Sequence, residues 1–480
     1  MNTTSQKLSV REKIGYSLGD LAANLIFQTL VTYLAYYYTD IYGLSPGKAS
    51  AIMFSVGMVA AFGFNPIIGA LADRTNTKWG KFRPWILWTA IPLGIASVLA
   101  FSKFGGAANV TYAIITYTLL LFLYAANNLP YGALSGVITG DMKERNSMSA
   151  YRFVAVMLAQ FFVQVFMLPI IEAVGNGNKA EGISKLMIWL ALIGTAMLLT
   201  TFFTTKERIV PKPEQKSTLG EDLKDLSRNR PWLIMLVLTT LVFITLAMKG
   251  GSYVYYFKNY VNNQKLADFI TPVINALDNI GMNFFGKDPA AAGLGLFNAG
   301  GIIFMIVGIT LSKPLADKFG KRDVFGIALF ISTLFILAFY FFEPESVGLI
   351  FISQILHGFF YGITIPLLWA MIADVADFSE WKNNRRATAI IFSAMMVGLK
   401  GGLSIGGALL TKILGIYNYQ PNSESTQTET AIHGTKMLVS IYPAIPFLIG
   451  AALLFFYEIN KKTETQIETE LQARRINLTV

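Results

Sequence analysis

The chain has 480 residues, of which 54% are hydrophobic and only 14% charged. A soluble domain carries about 25% charged residues, so this much apolar side chain has no soluble core to hide in, and lipid must be the solvent. Cysteine is absent and histidine is limited to His357 and His433, which excludes disulfides and thiolate chemistry and leaves little for a metal site. The formal charge of +10 reads as basic residues gathered on one membrane face, with no nucleic-acid partner implied.

The N-terminus, MNTTSQKLSVREK, is polar and lacks a signal-peptide apolar region. The first apolar run is therefore expected to stay as a helix. A membrane helix needs about 20 residues to cross about 30 Å of hydrocarbon. Twelve such runs occur. The first six are 14–38, 50–72, 85–104, 110–138, 150–174 and 183–205; the last six are 231–257, 291–312, 324–342, 347–373, 388–416 and 437–457.

Alternate connections differ sharply in charge. One side collects 27 Lys and Arg, whereas the other has 9, all lysine. The positive-inside rule then puts both termini in the cytoplasm. The connection 206–230 is polar, opens with prolines and is expected to hold a short amphipathic helix. It separates an N-terminal bundle, 1–205, from a C-terminal bundle, 231–457. A charged tail, 458–480, and a long outer connection, 258–290, are each expected to carry a surface helix.

Polar residues inside the spans mark candidate sites, because charge at membrane depth is costly and faces water or a partner. In the first span Asp20, Asn24, Gln28 and Thr32 recur every four residues and share a face. The alternative is helix-to-helix hydrogen bonding. In the fourth span Tyr124, Asn127, Asn128 and Tyr131 offer aromatic faces and amides suited to a sugar ring. In the fifth, Arg152, Gln160 and Gln164 follow the same spacing, and arginine suits hydroxyls or a carboxylate. A structural ion pair is its plainer reading. The tenth span holds Gln354, His357, Tyr361 and Thr364, with Trp369 nearby. His357 is either a proton carrier or a hydrogen-bonded structural histidine. Ser393, Lys400, Ser404 and Thr411 lie close to one face of the eleventh. Lys249, before Gly250-Gly251, either sits beside a mobile hinge and acts in gating or snorkels to the interface. Asp20, Arg152, Lys249 and Lys400 sum to +2. An anionic substrate supplies the missing charge, or one lysine gives up its proton.

An internal repeat supports two matching halves. Gly69-Ala-Leu-Ala-Asp73-Arg74 follows the second span, and Lys313-Pro-Leu-Ala-Asp317-Lys318 follows the eighth. Basic clusters follow each: Lys78, Lys81 and Arg83 in one, Lys321 and Arg322 in the other. These loop residues, with Asp374, Asp377, Glu380, Arg385 and Arg386, are expected to form ion pairs that latch one transport state. Duplicated halves are how many secondary transporters are built.

This pattern resembles the major facilitator superfamily, whose loop between helices 2 and 3 carries Gly-x-x-x-Asp-Arg and then basic residues. The resemblance sharpens in Asn65-Pro-Ile-Ile-Gly69, Trp79-Gly80-Lys81-Phe82-Arg83-Pro84-Trp85, Gly15-Tyr-Ser-Leu-Gly-Asp20, Tyr37-Tyr-Thr-Asp40, Phe203-Thr-Thr-Lys-Glu-Arg208 and Lys400-Gly-Gly402. Together these look like the glycoside–pentoside–hexuronide:cation symporters, the group that includes the melibiose permease, and within it the xyloside and glucuronide transporters. The resemblance implies an all-α protein of twelve transmembrane helices in two pseudo-symmetric six-helix halves. It implies a monomer that imports a sugar or glycoside by alternating access, with no cofactor beyond a coupling ion, H+ or Na+. It places Asp20, Arg152 and Lys400 at the sugar and cation sites. It also shows a departure. Sodium-coupled relatives have two carboxylates where this chain has Ala61 and Asn65, and melibiose permease has an aspartate at Asn128 and a tryptophan at Gly132. A hard cation wants oxygen ligands and compensating charge, so proton is favoured over sodium, with Asp20, His357, Asn65 and Asn128 as coupling candidates. Uniport is the alternative.

Other classes fit less well. No catalytic cluster lies within the spans, and no Gly-x-x-x-x-Gly-Lys-Ser/Thr marks a nucleotide site. A channel needs no duplicated loop motif. Gly293 and Gly295 fall in an apolar span, where glycine serves packing.

Overall fold

The computed structural model describes residues 7–103, 108–139, 141–209, 229–281, 284–286, 288–383, 388–421 and 427–477. Among the described residues twelve helices are long and apolar enough to cross a membrane, at the twelve expected places. They are α1 Val10–Ile41, α2 Pro46–Arg74, α3 Arg83–Ala100, α4 Val110–Ile138, α5 Lys143–Gly175, α6 Lys179–Thr204 and α7 Arg230–Asn259. After a shorter helix, α8 Asn263–Asn279, come α9 Pro289–Phe319, α10 Lys321–Phe341, α11 Val347–Lys382, α12 Ile391–Ile416 and α13 Glu429–Phe456. The tail forms α14, Lys461–Asn477. The helices expected in 258–290 and in the tail are thus present as α8 and α14. The one expected in the connection 206–230 falls at residues 210–228, outside the described residues.

Helix is the only way a single segment can satisfy its own backbone in hydrocarbon. The helices run past their apolar stretches because their ends are capped by polar residues that hydropathy ignores. Ser9 accepts the Glu12 N–H at 3.2 Å and starts α1. Asn109 and Asn229 do the same for α4 and α7, each at 3.1 Å. Thr428 accepts from Ala431 at 3.2 Å, so α13 begins at Glu429 and not near 437. Among the described residues three spans contain a wider π turn: Tyr37–Ile41, Ala60–Phe64 and Phe162–Phe166. Such turns shift the helical register and recur at functional sites.

The chain forms two compact units. The first is Met1–Glu214 with Ile270–Gly295 and Tyr419–Gln427; the second is Gln215–Phe269, Leu296–Asn418 and Thr428–Val480. The two short pieces join the first unit through specific contacts. Phe284 and Phe285 pack on Phe166, with ring centres 5.6 and 5.8 Å away. The Tyr419 hydroxyl donates to the buried Asp40 carboxylate at 2.8 Å. Inside the first unit α1 packs on α5 and α6, and α3 on α4 and α6. Inside the second, α7 packs on α12 and α13, and α10 on α11 and α13. The same pairing of first, fifth and sixth and of third, fourth and sixth spans appears twice, which is the duplication that Leu-Ala-Asp announced.

Between membrane helices there is little hydrophobic driving force, so close backbone approach and dispersion hold them. In α12 Gly402 lets the helix approach α7: a Cβ there would lie 2.5 Å from the Thr240 carbonyl oxygen. Outward faces stay apolar, with Phe62, Ile91, Ile115, Leu158 and Trp189 all exposed. The second unit has a core in which Ile467 and Leu471 of α14 join Val324, Met371 and Val375.

Candidate functional site

The polar face of α1 meets α4 and α5 at one charged pair. The Arg152 Nε–H donates to Asp20 Oδ2 at 2.8 Å. Asn24, one turn on, donates to the Asp20 carbonyl at 2.9 Å and to Oδ1 at 3.3 Å. The guanidinium lies over two rings, 5.5 Å from the centre of Tyr16 and 5.4 Å from that of Tyr131. These rings stack 4.7 Å apart at 16°. Each tyrosine donates to the other's carbonyl, Tyr16 at 3.0 Å and Tyr131 at 2.8 Å. The stack needs Gly19, because a Cβ there would lie 2.5 Å from a Tyr131 ring carbon.

This arrangement fixes a cation and an anion without closing them off. Asp20 keeps 9% of its side chain accessible but Arg152 keeps 29%. The guanidinium has further N–H donors to offer, and a carboxylate beside it accepts from hydroxyls. Donor and acceptor side by side match vicinal hydroxyl groups on a sugar ring.

The other expected residues fall around this pair or away from it. Gln164 reaches Gln28 at 3.4 Å, through the π turn that holds it. Gln160, Tyr124 and Asn128 are half-buried on α5 and α4. Asn127 instead turns toward α3 and donates to Thr89 Oγ1 at 2.8 Å. On α2, Ala61 is buried and the half-buried Asn65 donates to its carbonyl at 3.3 Å. Among the described residues no three His, Cys, Asp or Glu side chains cluster as a metal site would require.

In the second unit His357 is 3% exposed, with Nδ1 2.8 Å from Ser332 Oγ and 3.1 Å from the Ser332 carbonyl oxygen. Its ring stacks on Tyr361 at 5.8 Å. That is the hydrogen-bonded arrangement the sequence left as one of two readings. Lys249 does not snorkel. Its ammonium is buried, 3.2 Å from Gln354 Oε1 and 5.2 Å from the centre of the Tyr253 ring. Lys400 is half-buried on α12, and Trp369 on α11 is 36% exposed.

The loop charges build clamps inside each unit. Lys81 pairs with Asp73 at 2.9 Å. Arg83 donates to the Phe202 carbonyl at 2.7 Å, while Arg74 is exposed. In the second unit the pairing is carried by Lys321, which binds both Asp374 and Glu464 at 2.7 Å. Arg322 pairs with its neighbour Asp323 at 2.7 Å. The Asp317 and Lys318 side chains are exposed, and their carbonyls are capped by Lys461 at 3.0 and 2.7 Å. Arg385 and Arg386 lie outside the described residues.

Sequence reasoning missed Tyr16, Glu12, Glu144 and Glu207. Glu207 accepts the backbone N–H groups of Lys81, Phe82 and Arg83 at 2.8, 2.7 and 2.8 Å, at the N-terminus of α3 where negative charge is favoured. Glu12 takes two bonds from the Arg208 guanidinium, both 2.8 Å, and this raises the Arg208 pKa. Glu144 pairs with Lys13 at 2.8 Å. The signal for Glu207, and for the Arg208 that binds Glu12, was present in Phe203-Thr-Thr-Lys-Glu-Arg208, which carried a resemblance but no assigned role.

Twelve spans in a duplicated pattern, with a charged pair seated on aromatic rings inside one half, define a polytopic membrane transporter. The family described as MFS/sugar transport protein matches residues 15–287 and 276–461. The chain belongs to that family, the glycoside–pentoside–hexuronide symporters of the major facilitator superfamily. It is 34% identical over 475 residues to the inner membrane symporter YicJ of Escherichia coli (strain K12), covering 98% of this chain and 97% of that one. It is 28% identical to the isoprimeverose transporter of Lactiplantibacillus pentosus, covering 94% and 89%. It is also 28% identical to the glucuronide carrier protein homolog of E. coli, covering 98% and 97%. Among solved structures, the nucleoside transporter NupG shares the fold with a TM-score of 0.61 at 14% identity, over 93% of this chain and 99% of that one.

Proposed function

We propose that this protein imports a sugar or glycoside across the bacterial inner membrane by alternating access, as a monomer with both termini in the cytoplasm. The observation that carries the reading is the Asp20–Arg152 pair, held at 2.8 Å over the Tyr16–Tyr131 stack and open on the arginine side. Gln28, Tyr124, Asn128 and Gln160 extend the proposed substrate surface within the first unit, and Trp369 and Lys400 are the second unit's own substrate-binding candidates. The family and its named relatives support a pentoside, hexoside or hexuronide. The Lys and Arg asymmetry of the connections supports the orientation.

Transport is coupled to a cation, and proton is the better candidate. Ala61, Asn65 and Asn128 stand where sodium-coupled members of the family have carboxylates, so a sodium ion would lack compensating charge. Asp20 is the coupling candidate that touches the site; His357 is tied to Ser332. The loop clamps at Asp73–Lys81 and Lys321–Asp374 act as gates.

Purified protein in proteoliposomes tests this directly. Uptake of a radiolabelled xyloside and a glucuronide is measured with an imposed proton gradient, a sodium gradient or neither. Accumulation above equilibrium with the proton gradient alone is expected. Accumulation only with sodium would reverse the choice of ion, and equilibration without accumulation would establish uniport.

A further inference from the structure

Lys249 is an intramembrane basic side chain whose partners are neutral. Among the described residues no carboxylate lies within ion-pair distance of it. It is 8% exposed and has Gln354 Oε1 at 3.2 Å and the Tyr253 ring beneath it. The acid of the other site does not offset it, because Asp20 is already neutralised by Arg152. A desolvated charge normally has a charged partner or a ligand.

The geometry around Gln354 says what that ligand would be. The Lys249 ammonium and the Tyr253 hydroxyl both converge on one oxygen, Gln354 Oε1, each at 3.2 Å. Two donors on a single neutral acceptor is the pattern an oxyanion satisfies better, since ionised hydrogen bonds are about twice as strong as neutral ones. Gln354 Oε1 stands where an anion's oxygen would sit. The amide packs against α9 at Gly301, where a Cβ would lie 2.7 Å from Gln354 Nε2. A glutamine can turn its NH2 end toward the incoming oxygen and become a third donor.

We propose that Lys249, Tyr253 and Gln354 form the receptor for the carboxylate of an acidic sugar, and so select hexuronides over neutral glycosides. This rests on reading the chain as a sugar carrier. It gives the basic excess within the spans a chemical purpose, and it requires no residue of the Asp20 site.

The test measures initial uptake of a glucuronide and of the corresponding neutral glucoside in proteoliposomes, for the wild type, Lys249→Gln and Lys249→Arg. Removing one partner of a buried charge pair costs binding by about thirtyfold or more. The ratio of acidic to neutral uptake should therefore fall about thirtyfold in Lys249→Gln and recover in part in Lys249→Arg. Thermal stability of the detergent-purified variants checks folding. An unchanged ratio in Lys249→Gln, whether both activities persist or both fall together, overturns the inference. A wild type that carries the neutral sugar alone also overturns it and leaves the transport reading standing. A wild type that carries neither sugar overturns both.

Discussion

Breaking the Asp20–Arg152 pair is the sharpest perturbation available. At 2.8 Å two unit charges attract by about 6 kcal/mol at an effective dielectric of 20. Desolvation and the partial exposure of Arg152 discount most of that, leaving a coupling of about 2–3 kcal/mol. Each ring under the guanidinium adds roughly 0.5–1 kcal/mol that depends on the arginine alone. A double-mutant cycle separates these contributions. Asp20→Asn and Arg152→Gln should each lower the initial uptake rate at low substrate by about a hundredfold or more, and the double variant should lose little beyond either single change. Substrate-protected thermal shifts give the binding side of the same cycle. A measured coupling below about 0.5 kcal/mol, the size of an exposed surface pair, would refute the reasoning, and normal uptake by either single variant would remove that residue from the site.

Two further outcomes follow from other parts of the molecule. Gly80 has φ +113° and faces the Glu207 carboxylate, so Gly80→Ala should lower stability by about 1–3 kcal/mol, read as earlier thermal unfolding in detergent; a shift to higher temperature would sink the account of the Glu207 clamp. Restoring carboxylates with Ala61→Asp, Asn65→Asp and Asn128→Asp together should make uptake respond to sodium, measured as a fall in substrate KM on sodium addition. If that triple variant still ignores sodium while remaining folded and active, the three substitutions are not what sets the choice of ion.

Much of the site was legible because a helix repeats every 3.6 residues. Asp20, Asn24, Gln28 and Thr32 had to share a face of α1 wherever that helix went. Tyr16 was not legible. An aromatic residue in an apolar span looks like any other apolar side chain, and its role depends on Gly19 admitting Tyr131 from a helix more than a hundred residues away. Arg152, Gln160 and Gln164 fit one face on regular spacing, but the π turn at Phe162–Phe166 alters the register, and it is Gln164 that meets Gln28. The second-half counterpart of Asp73 was expected at Asp317, whereas Lys321 pairs with Asp374 and with Glu464 of α14.

Composition, run length and charge asymmetry settle how many times this chain crosses a bilayer, because lipid judges each segment by itself. The repeated Leu-Ala-Asp announces the duplication for the same local reason. Partnership between segments is different. Which carboxylate meets Arg152, and that Lys249 meets none among the described residues, depends on helix neighbours and on glycine-scale fits between them. Those are properties of the packed bundle, and no stretch of sequence holds them until its neighbours are in place.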